Sequence, residues 1–232
     1  MRAVEDRHWW YVGNRLIVGD VLRACEPPLG RILDVGSGTG GNGALLSRFG
    51  SVVGLEPSED ARRLARGRLP DQVAGEAESL PFIAGAFDLV TSFEVLYHAR
   101  VQDDVAALRE MRRVLRPEGF LILRLPALEW LRGPHDEAVE TARRYTVAGL
   151  RAKLREADLW PQRLSYVNSL LLPAIALRRV LQRWRHYRGN DLSSESWLER
   201  RSGRVALAVE RRLLRRIDLP LGVSVLAIAR KS

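Results

Sequence analysis

Apolar and polar positions alternate along the chain between short apolar runs and longer stretches with a helical repeat. RILDVG at 31–36 is an apolar run that ends at a cluster of glycines, and SVVGLEP at 51–57 is a second run that stops at a proline. Between and beyond these runs, apolar residues recur at every third or fourth position, which is the spacing of a helix with one buried face. The pattern therefore predicts strands and helices in alternation.

Further strands are predicted wherever β-branched or aromatic apolar runs return. They are DQVAGEA at 71–77, FDLVTSF at 87–93, FLILRLP at 120–126, a segment near 164–171 and GVSVLAIARK at 222–231. The helical repeat predicts helices at 13–25, 42–49, 58–69, 101–115, 146–154, 174–188 and 196–217. Residues 127–145 show little pattern and are predicted to be a loop.

Strands and helices that alternate at crossover lengths are typical of a doubly wound α/β fold with helices on both faces of the sheet. The nearly continuous apolar run FDLVTSF is the kind that buried parallel strands show. No internal repeat or low-complexity linker interrupts the pattern. We expect a single domain with an insertion before its final strand.

The composition, with 46% hydrophobic and 28% charged residues in 232, is that of a globular protein without a membrane span. Charge is unevenly distributed: residues 1–173 carry 23 basic and 23 acidic side chains, whereas residues 174–232 carry 14 and 5. The net charge of +9 thus arises from the last quarter of the chain. This distribution predicts either an anionic partner for that segment or a solvated helix face.

Cysteine usage and the N-terminal residues bear on the compartment. The lone Cys25 cannot form an intrachain disulfide and lies in a helical pattern, where a small buried side chain is expected. The opening residues contain acids and arginines without a continuous apolar run, so no signal peptide is expected. We therefore predict a cytoplasmic protein.

The glycine cluster in ILDVGSGTGGNG can be read in two ways. As Gly36-x-Gly38-x-x-Gly41 it is the dinucleotide-binding pattern of a dehydrogenase. As Asp34-x-Gly36-x-Gly38-x-Gly40 it resembles the first motif of methyltransferases that bind S-adenosylmethionine. A pyrophosphate would be repelled by an acid two residues before the first glycine, whereas the ammonium of S-adenosylmethionine would be attracted to it. The acid favours the second interpretation.

The resemblance to class I methyltransferases extends over four spaced segments between about residues 30 and 125. They are ILDVGSGTG, VVGLEPS, GEAESLPF and FDLVTSFEVLYH, followed by EMRRVLRPEGFLIL, in which Glu118 replaces the usual glycine. This resemblance implies a Rossmann-like, mostly parallel sheet of seven strands whose last strand is antiparallel. It also implies S-adenosylmethionine as cofactor and S-adenosylhomocysteine as product.

The resemblance also implies roles for individual residues. Glu56 would bind the ribose hydroxyls, Glu76 the adenine amino group and the Ala77 backbone N–H the ring, although Glu76 is one methylene longer than the usual aspartate. The residues from Ser92 to Glu94 would lie beside the methionine part of the cofactor. The full predicted cofactor site comprises Tyr11, Arg15, Asp34, Gly36, Ser37, Gly38, Gly40, Glu56, Pro57, Glu76, Ala77, Ser92, Phe93 and Glu94.

The N-terminal HWWYVGNR is similar to the segment HWW[FY]xxR that opens a group of small bacterial methyltransferases. The likeness implies a lid over the cofactor, with Arg15 at its carboxylate, while the alternative is a helix start that packs a tryptophan into the core. A later segment of that group, HD...HxRRY, is only partly matched by HDEAVETARRY, because Thr141 stands in place of the second histidine.

Three residues are candidates for the chemistry of transfer, which needs a base only if the acceptor must lose a proton. His98 follows the fourth strand and is either a general base or a loop-pinning residue. His135 lies in the loop after the fifth strand, where substrate contacts collect in such folds. Tyr145 either holds a substrate oxygen or is a half-buried aromatic at a helix start. Four scattered histidines predict no metal site.

The segment at 174–188 is a basic amphipathic helix in which Leu177, Val180, Leu181 and Trp184 share one face. Such a helix either lies on an anionic membrane or covers the sheet with an ordinary solvated side, and the second is the default. RNA is disfavoured, because SFEVLY stands where base methyltransferases carry an Asn/Asp-Pro-Pro-Tyr type segment.

The sequence thus predicts a methyltransferase that acts on a small-molecule or lipid-linked acceptor, with oxygen favoured over nitrogen and carbon. The alternatives are a nicotinamide oxidoreductase and a non-catalytic protein that binds the cofactor or a membrane. The predicted parts are a lid and helix (1–29), a cofactor-binding core (30–125), a substrate loop, helix and sixth strand (126–172), a basic helical insertion (173–218) and a final strand (219–232). Peripheral contact at the inner membrane face would involve the insertion.

Overall fold

The centre of the fold is a seven-stranded sheet, observed in a computed structural model that describes residues 2–25, 30–185 and 197–232. Its strands are β1 (Gly30–Val35), β2 (Gly50–Leu55), β3 (Gln72–Val73), β4 (Phe87–Phe93), β5 (Leu115–Pro126), β6 (Leu159–Val167) and β7 (Ser224–Lys231). They lie in the order β3-β2-β1-β4-β5-β7-β6.

The first five strands are parallel, and β7 is antiparallel to both of its neighbours, β5 and β6. The prediction of a mostly parallel sheet with an antiparallel last strand is therefore confirmed. Chain order reverses between β1 and β4, which lie side by side although two other strands separate them in sequence. Ligands of open α/β sheets bind at such a reversal, beyond the carboxyl ends of the strands.

Nine helices are described in these ranges, together with a 3₁₀ turn at Glu129–Leu131. They are α1 (Arg2–Arg7), α2 (Trp9–Cys25), α3 (Gly43–Leu46), α4 (Glu59–Ala65), α5 (Asp104–Val114), α6 (Pro134–Ala138), α7 (Val147–Glu156), α8 (Leu172–Arg185) and α9 (Trp197–Leu214). Within the parts of the chain that the structure describes, no helix has the length and apolar character to cross a membrane.

Three of these helices begin at side chains that accept hydrogen bonds from the first turn. Ser58 accepts from the Ala61 N–H at 3.3 Å, and the Thr146 hydroxyl accepts from the Gly149 N–H at 3.0 Å. Asp103 accepts from two backbone amides of α5. Each cap supplies a partner to an amide that the helix itself leaves unpaired. The caps Ser58 and Thr146 lie at the predicted helix starts, whereas α5 starts at Asp104 instead of 101.

Two apolar cores form on either side of the sheet. One is built with residues of α5 and α7, including Leu108 and Leu150, and the other with residues of α2 and α9, including Ile17 and Leu207. The helix pair α2 and α9 packs so closely that a Cβ on Gly13 would lie 2.2 Å from Leu207 Cδ1. The two cores confirm the expectation of helices on both faces.

The sixth strand lies earlier than predicted, at Leu159–Val167 instead of 164–171. The sequence contains Pro161, which weakens a strand prediction, but β6 is an edge strand, and there a proline is tolerated at a register irregularity. The strand ends before Asn168, whose φ of 62° is incompatible with continued pairing. Leu170 consequently leaves the sheet and is exposed.

Other boundaries also differ from the prediction. β5 begins at Leu115 instead of 120, because its pairing with β4 continues across an irregularity that contains Glu118 at a φ of 66°. α2 begins at Trp9 instead of 13, and the predicted loop 127–145 contains α6. β3 has only two residues, and α9 ends at Leu214 rather than 217. Parts of the predicted helices 174–188 and 196–217 lie outside the described residues.

A buried polar cluster joins α2, β6, α9 and β7. Glu210 in α9 is fully buried and accepts hydrogen bonds from the Asn168, Ser169 and Leu170 amides, which form the turn between β6 and α8. The Asn168 side chain donates to Asn14 Oδ1 in α2 at 3.2 Å. Burial raises the pKa of Glu210. This single carboxyl therefore accepts hydrogen bonds from the backbone N–H groups of a turn that belongs to no helix or strand.

We expect Glu210→Ala to lower the free energy of unfolding by about 3 kcal/mol, because three backbone amides lose their acceptor in the interior. Glu210→Gln keeps one acceptor oxygen and should lose roughly half as much. Chemical denaturation measures both. Glu137→Ala, at an exposed position, is the matched control, and a loss no larger than that control would show that the turn does not depend on Glu210.

Candidate functional site

The candidate site lies where the carboxyl ends of β1, β2, β4 and β5 meet. Asp34 is near the end of β1, Glu56 directly follows β2, and Glu94 directly follows β4. Arg124 is close to the end of β5 and forms an ion pair with Glu94. This is the position at the chain reversal where open α/β sheets bind ligands, and most of the predicted cofactor residues gather there.

Asp34 is buried and only half satisfied. Its Oδ1 accepts a hydrogen bond from the Thr91 hydroxyl at 2.8 Å, while its Oδ2 is buried without a partner among the described residues. Burial, opposed by the Thr91 hydrogen bond and assisted by the charge of Glu56, raises the pKa of Asp34 to about 7. An ammonium group placed at Oδ2 would both supply the missing partner and favour the ionised carboxylate.

The glycine loop after β1 approaches its neighbours closely at one point and is open at another. At Gly36, where φ is 73°, a Cβ would lie 2.2 Å from Val95 Cγ2, so no larger residue fits. At Gly38, with a φ of 53°, a Cβ would meet no atom within 4 Å among the described residues. The loop is thus packed against the segment after β4 and exposes backbone to open space. Gly40 also has a positive φ.

Glu56 joins the glycine loop to the start of α4. Its Oε2 accepts from the Gly38 N–H at 2.9 Å, and its Oε1 accepts from the Ser58 N–H at 2.9 Å. Ser37 is buried and accepts from Gln72 Nε2 at 3.3 Å, and the Pro57 carbonyl accepts from Arg62. The predicted residues of these two loops therefore form one connected network.

Glu76 and Ala77 lie in a tight turn after β3. The Glu76 carbonyl accepts from the Ser79 N–H at 3.2 Å and its side chain is exposed, while Ala77 is buried. No contact of Glu76 with the glycine loop is present among the described residues. Its contact with an adenine stays a prediction.

The end of β4 supplies Ser92, Phe93 and Glu94. Ser92 is fully buried, and its hydroxyl oxygen has no partner in the described part of the chain. The Arg124 guanidinium lies 5.9 Å from the centre of the Phe93 ring and donates to Glu94 Oε1 at 3.0 Å. Glu94 has a φ of 60°, which turns the chain sharply out of the strand.

The N-terminal helix α1 lies across the glycine loop. Glu5 accepts from the Thr39 hydroxyl and forms an ion pair with Arg68, while its carbonyl accepts from Arg15 Nη2 at 2.7 Å. Tyr11 is half-buried, and burial, followed by the charges of Glu5 and Glu94, raises its pKa. Arg15 and Tyr11 thus lie in the same region as the loop, as a lid would require.

The tryptophan next to this lid packs into the core. A Cβ on Gly203 in α9 would lie 2.6 Å from Trp9 Cε3, and Trp9 packs against the core shared by α2 and α9. Trp10 contacts Trp9 edge-on, with ring centres 5.9 Å apart. The contacts of Trp9 fit the packing interpretation of this segment, and the lid stays a prediction for Tyr11 and Arg15.

The side chain and the backbone of His98 contact neighbouring loop residues. Its Nδ1 accepts from the Arg100 N–H at 3.1 Å, and its Nε2 lies 3.9 Å from Glu140 Oε2. Its backbone forms an isolated bridge with Thr141. These contacts fit the loop-pinning role that the sequence leaves open for His98.

His135 retains an unused ring nitrogen. It lies in α6, and its Nδ1 is buried without a hydrogen-bond partner among the described residues. The adjacent Asp136 caps the start of α6 at Gly133 and forms a buried ion pair with Arg144 at 2.8 Å. The helix that carries His135 is therefore fixed by its neighbours, while the Nδ1 of His135 has no hydrogen-bond partner among the described residues.

The contacts of Tyr145 fit the second of its two interpretations, an aromatic residue at a helix start. It is buried, and its hydroxyl lies 2.8 Å from Asp104 Oδ2 and 2.9 Å from the Leu96 carbonyl. Burial and the charge of Asp104 raise the pKa of Tyr145 well above its usual value. The residue fastens the start of α7 to the loop after β4.

Two residues that the sequence analysis did not select belong to the same region. Burial, followed by the charges of Glu94 and Asp136, raises the pKa of Tyr97 far above its usual value, which places Tyr97 within electrostatic reach of both carboxylates. Arg124 pairs with Glu94 as described. The sequence could have indicated Arg124, because it is the charged residue in the apolar run FLILRLP. No comparable signal marks Tyr97, which directly precedes His98.

Within the described ranges, no three His, Cys, Asp or Glu side chains are grouped as a metal site would require.

Comparisons with known proteins identify this region. Residues 33–123 match the family model described as a methyltransferase domain. The chain is 42% identical over 97 residues to a demethylmenaquinone methyltransferase from Beutenbergia cavernae, covering 40% of this chain and 39% of that protein. It is 38% identical over 105 residues to a ubiquinone/menaquinone biosynthesis C-methyltransferase from Pseudomonas putida, covering 40% of each.

The fold is shared with a solved SAM-dependent methyltransferase from Thermotoga maritima. The TM-score is 0.60 at 21% identity, covering 99% of this chain and 96% of that chain. Residues 33–123 thus match a methyltransferase domain, and the Rossmann-like fold of the chain is shared with a solved methyltransferase. More narrowly, the two curated relatives above are methyltransferases of quinones by name, and the chain spans about two fifths of their length.

The raised pKa of Asp34 predicts a specific pH dependence of stability without ligand. The folded-state pKa of about 7 exceeds the value of 3.8 for a solvated aspartate, so folding takes up a proton between these pH values. Stability should therefore fall as the pH rises from about 4 to about 7, by up to about 4 kcal/mol. In Asp34→Asn this contribution should be absent.

Denaturation of both proteins across that pH range isolates the contribution, since all other titrating groups are common to the two. Parallel pH profiles for the wild type and Asp34→Asn would show that Asp34 ionises normally.

Proposed function

We propose that this chain transfers a methyl group from S-adenosylmethionine to a small-molecule or lipid-linked acceptor. The observation that carries the proposal is the buried, half-satisfied carboxyl of Asp34 beside an open glycine loop, inside the segment that matches a methyltransferase domain. The residues present fit the cofactor: Asp34 Oδ2 would receive its ammonium and Glu56 its ribose hydroxyls.

The cofactor supplies a methyl group on a positively charged sulfur, which needs no further activation. The residues of this chain would therefore bind, orient and exclude water. Arg15 and Tyr11 on α2, with α1 across the loop, would cover the cofactor, and the segment from Ser92 to Glu94 would line its methionine part. Ser92 offers a buried hydroxyl without a partner in the described residues for this purpose.

The geometry argues against the nicotinamide alternative. A pyrophosphate at a glycine loop needs free backbone N–H groups. Here the Gly38 N–H already donates to the Glu56 carboxylate, and Glu5 brings a further carboxylate to the loop at Thr39. Three acids around the loop favour a cation over a diphosphate.

The acceptor is proposed to be methylated at oxygen, with His135 removing its proton. His135 is favoured over His98 because its Nδ1 has no partner in the described chain, whereas His98 Nδ1 is engaged with Arg100. A quinone-type acceptor methylated at carbon is the second candidate, since the relatives carry such names. We further propose a cytoplasmic location with peripheral contact between residues 174–188 and the inner membrane face, and kinship with the HWW[FY]xxR group.

The cofactor is tested by differential scanning fluorimetry with S-adenosylhomocysteine against NAD. We expect stabilisation by S-adenosylhomocysteine and none by NAD, and the reverse result would establish an oxidoreductase. Tritium transfer from labelled S-adenosylmethionine to fractionated cell extract then tests catalysis. A ligand shift without transfer to any fraction would favour the non-catalytic alternative.

For a hydroxyl acceptor, His135→Asn should lower kcat at least about 100-fold while leaving S-adenosylhomocysteine affinity unchanged, because the loss of a general base affects only the chemical step. His98→Asn is the matched control and should affect stability more than kcat. Steady-state kinetics on the acceptor found by tritium transfer, with calorimetric titration of the product, separate these effects. If the His98 variant loses kcat and the His135 variant does not, the assignment of the base is reversed.

A further inference from the structure

The helix α8 carries its apolar face outward. Leu177, Val180 and Leu181 are 60%, 47% and 47% exposed, and no described element covers them. Val180 and Leu181 follow Leu177 by three and four residues, so all three lie on the same side of the helix. The sequence alone favours the opposite arrangement, in which this face would cover the sheet.

The inward side of α8 is partly polar, and specific hydrogen bonds hold it there. Arg179 is buried, donates from Nε to the Leu131 carbonyl at 3.1 Å and from Nη1 to Gln182 Oε1 at 2.7 Å. A Cβ on Gly133 would lie within 2.7 Å of the Arg179 guanidinium. These contacts fix the rotation of α8 about its axis, so the outward apolar face is a property of the fold.

The charge of α8 selects the partner. The helix contains four arginines and no acidic residue, and Arg178 is exposed beside the apolar face. Residues 174–232 carry 14 basic and 5 acidic side chains. A second copy of this chain would bring the same positive charge, which opposes self-association. An apolar face with the exposed Arg178 beside it, on a helix without acidic residues, is complementary to an anionic lipid surface, where apolar side chains enter the boundary and arginine meets phosphate.

The apolar face lies next to the acceptor side of the site. In the sheet, Pro126 at the end of β5 and Val167 at the end of β6 both pair with Ser224, so α8 starts at the edge where the site lies. Arg179 then contacts the turn at Leu131 that leads into α6, which carries His135.

We propose that α8 binds the surface of an anionic bilayer through Leu177, Val180 and Leu181, and thereby takes the methyl acceptor from that bilayer. This inference rests on the proposed function and narrows its acceptor to a molecule dissolved in lipid. In this proposal, α8 lies in the membrane–water interface and does not cross the bilayer. In this arrangement, the helix α6, which carries His135, faces the membrane rather than bulk water.

The test is co-sedimentation of the full chain with vesicles made of equal parts phosphatidylcholine and phosphatidylglycerol. We expect binding at low salt, at least tenfold weaker binding to vesicles of phosphatidylcholine alone, and weakening by salt. Leu177→Ser/Leu181→Ser should reduce binding at least tenfold. The matched control, Ile83→Ser/Trp160→Ser, removes two exposed apolar side chains elsewhere and should bind as the wild type does.

Other outcomes overturn the proposal. The proposal is rejected if the chain does not bind anionic vesicles at low salt. It is also rejected if both double variants lose vesicle binding to the same extent. Sedimentation velocity that shows a dimer in the wild type and a monomer in Leu177→Ser/Leu181→Ser would instead assign the face to a second copy. Titration with S-adenosylhomocysteine separates the membrane inference from the proposed function. If the protein binds S-adenosylhomocysteine but not vesicles, only the membrane inference is rejected. If it binds vesicles but not S-adenosylhomocysteine, the proposed function is rejected.

Discussion

The site depends on one unfavourable feature, a carboxyl group that the fold buries without completing its hydrogen bonds. Asp34 receives a single hydrogen bond, from Thr91, and its second oxygen lies in the interior with no partner among the described residues. Such a group is costly unless a ligand completes it. In the proposed function, the ammonium of the cofactor would supply the missing partner, so the cost of burying Asp34 would favour the binding of a cation.

The remaining parts of the site arrange charge around that position. Glu56 occupies the Gly38 N–H and so removes a donor that a phosphate would use, while Glu5 adds negative charge from α1. On the acceptor side, Asp136 and Arg144 form a buried pair that fixes α6. The proposed cofactor half of the site is therefore built from strand ends and tight loops, and the proposed acceptor half from a short helix that an ion pair of Asp136 stabilises.

The sequence predicts much of this arrangement because strands, glycines and caps are local signals. FDLVTSF is a strand at the predicted residues, and Ser58 caps a helix as expected. β6 was misplaced because the effect of Pro161 depends on whether the strand is at an edge, which is a property of the whole sheet. The sequence leaves two roles open for Tyr145 and favours a sheet-covering α8 for a related reason: the partners of Tyr145 are 41 and 49 residues away, and those of Arg179 include a carbonyl 48 residues away.

The buried cluster around Glu210 also has a consequence for how the chain reaches this fold. Asn14 meets Asn168 across 154 residues of sequence, and the apolar side of α2 is covered by α9 near the other end of the chain. During synthesis, the part of α2 that packs on α9 stays uncovered until Trp197–Leu214 has emerged from the ribosome. Contacts of such long range slow folding and leave intermediates prone to aggregation, so assembly of this protein should benefit from chaperones.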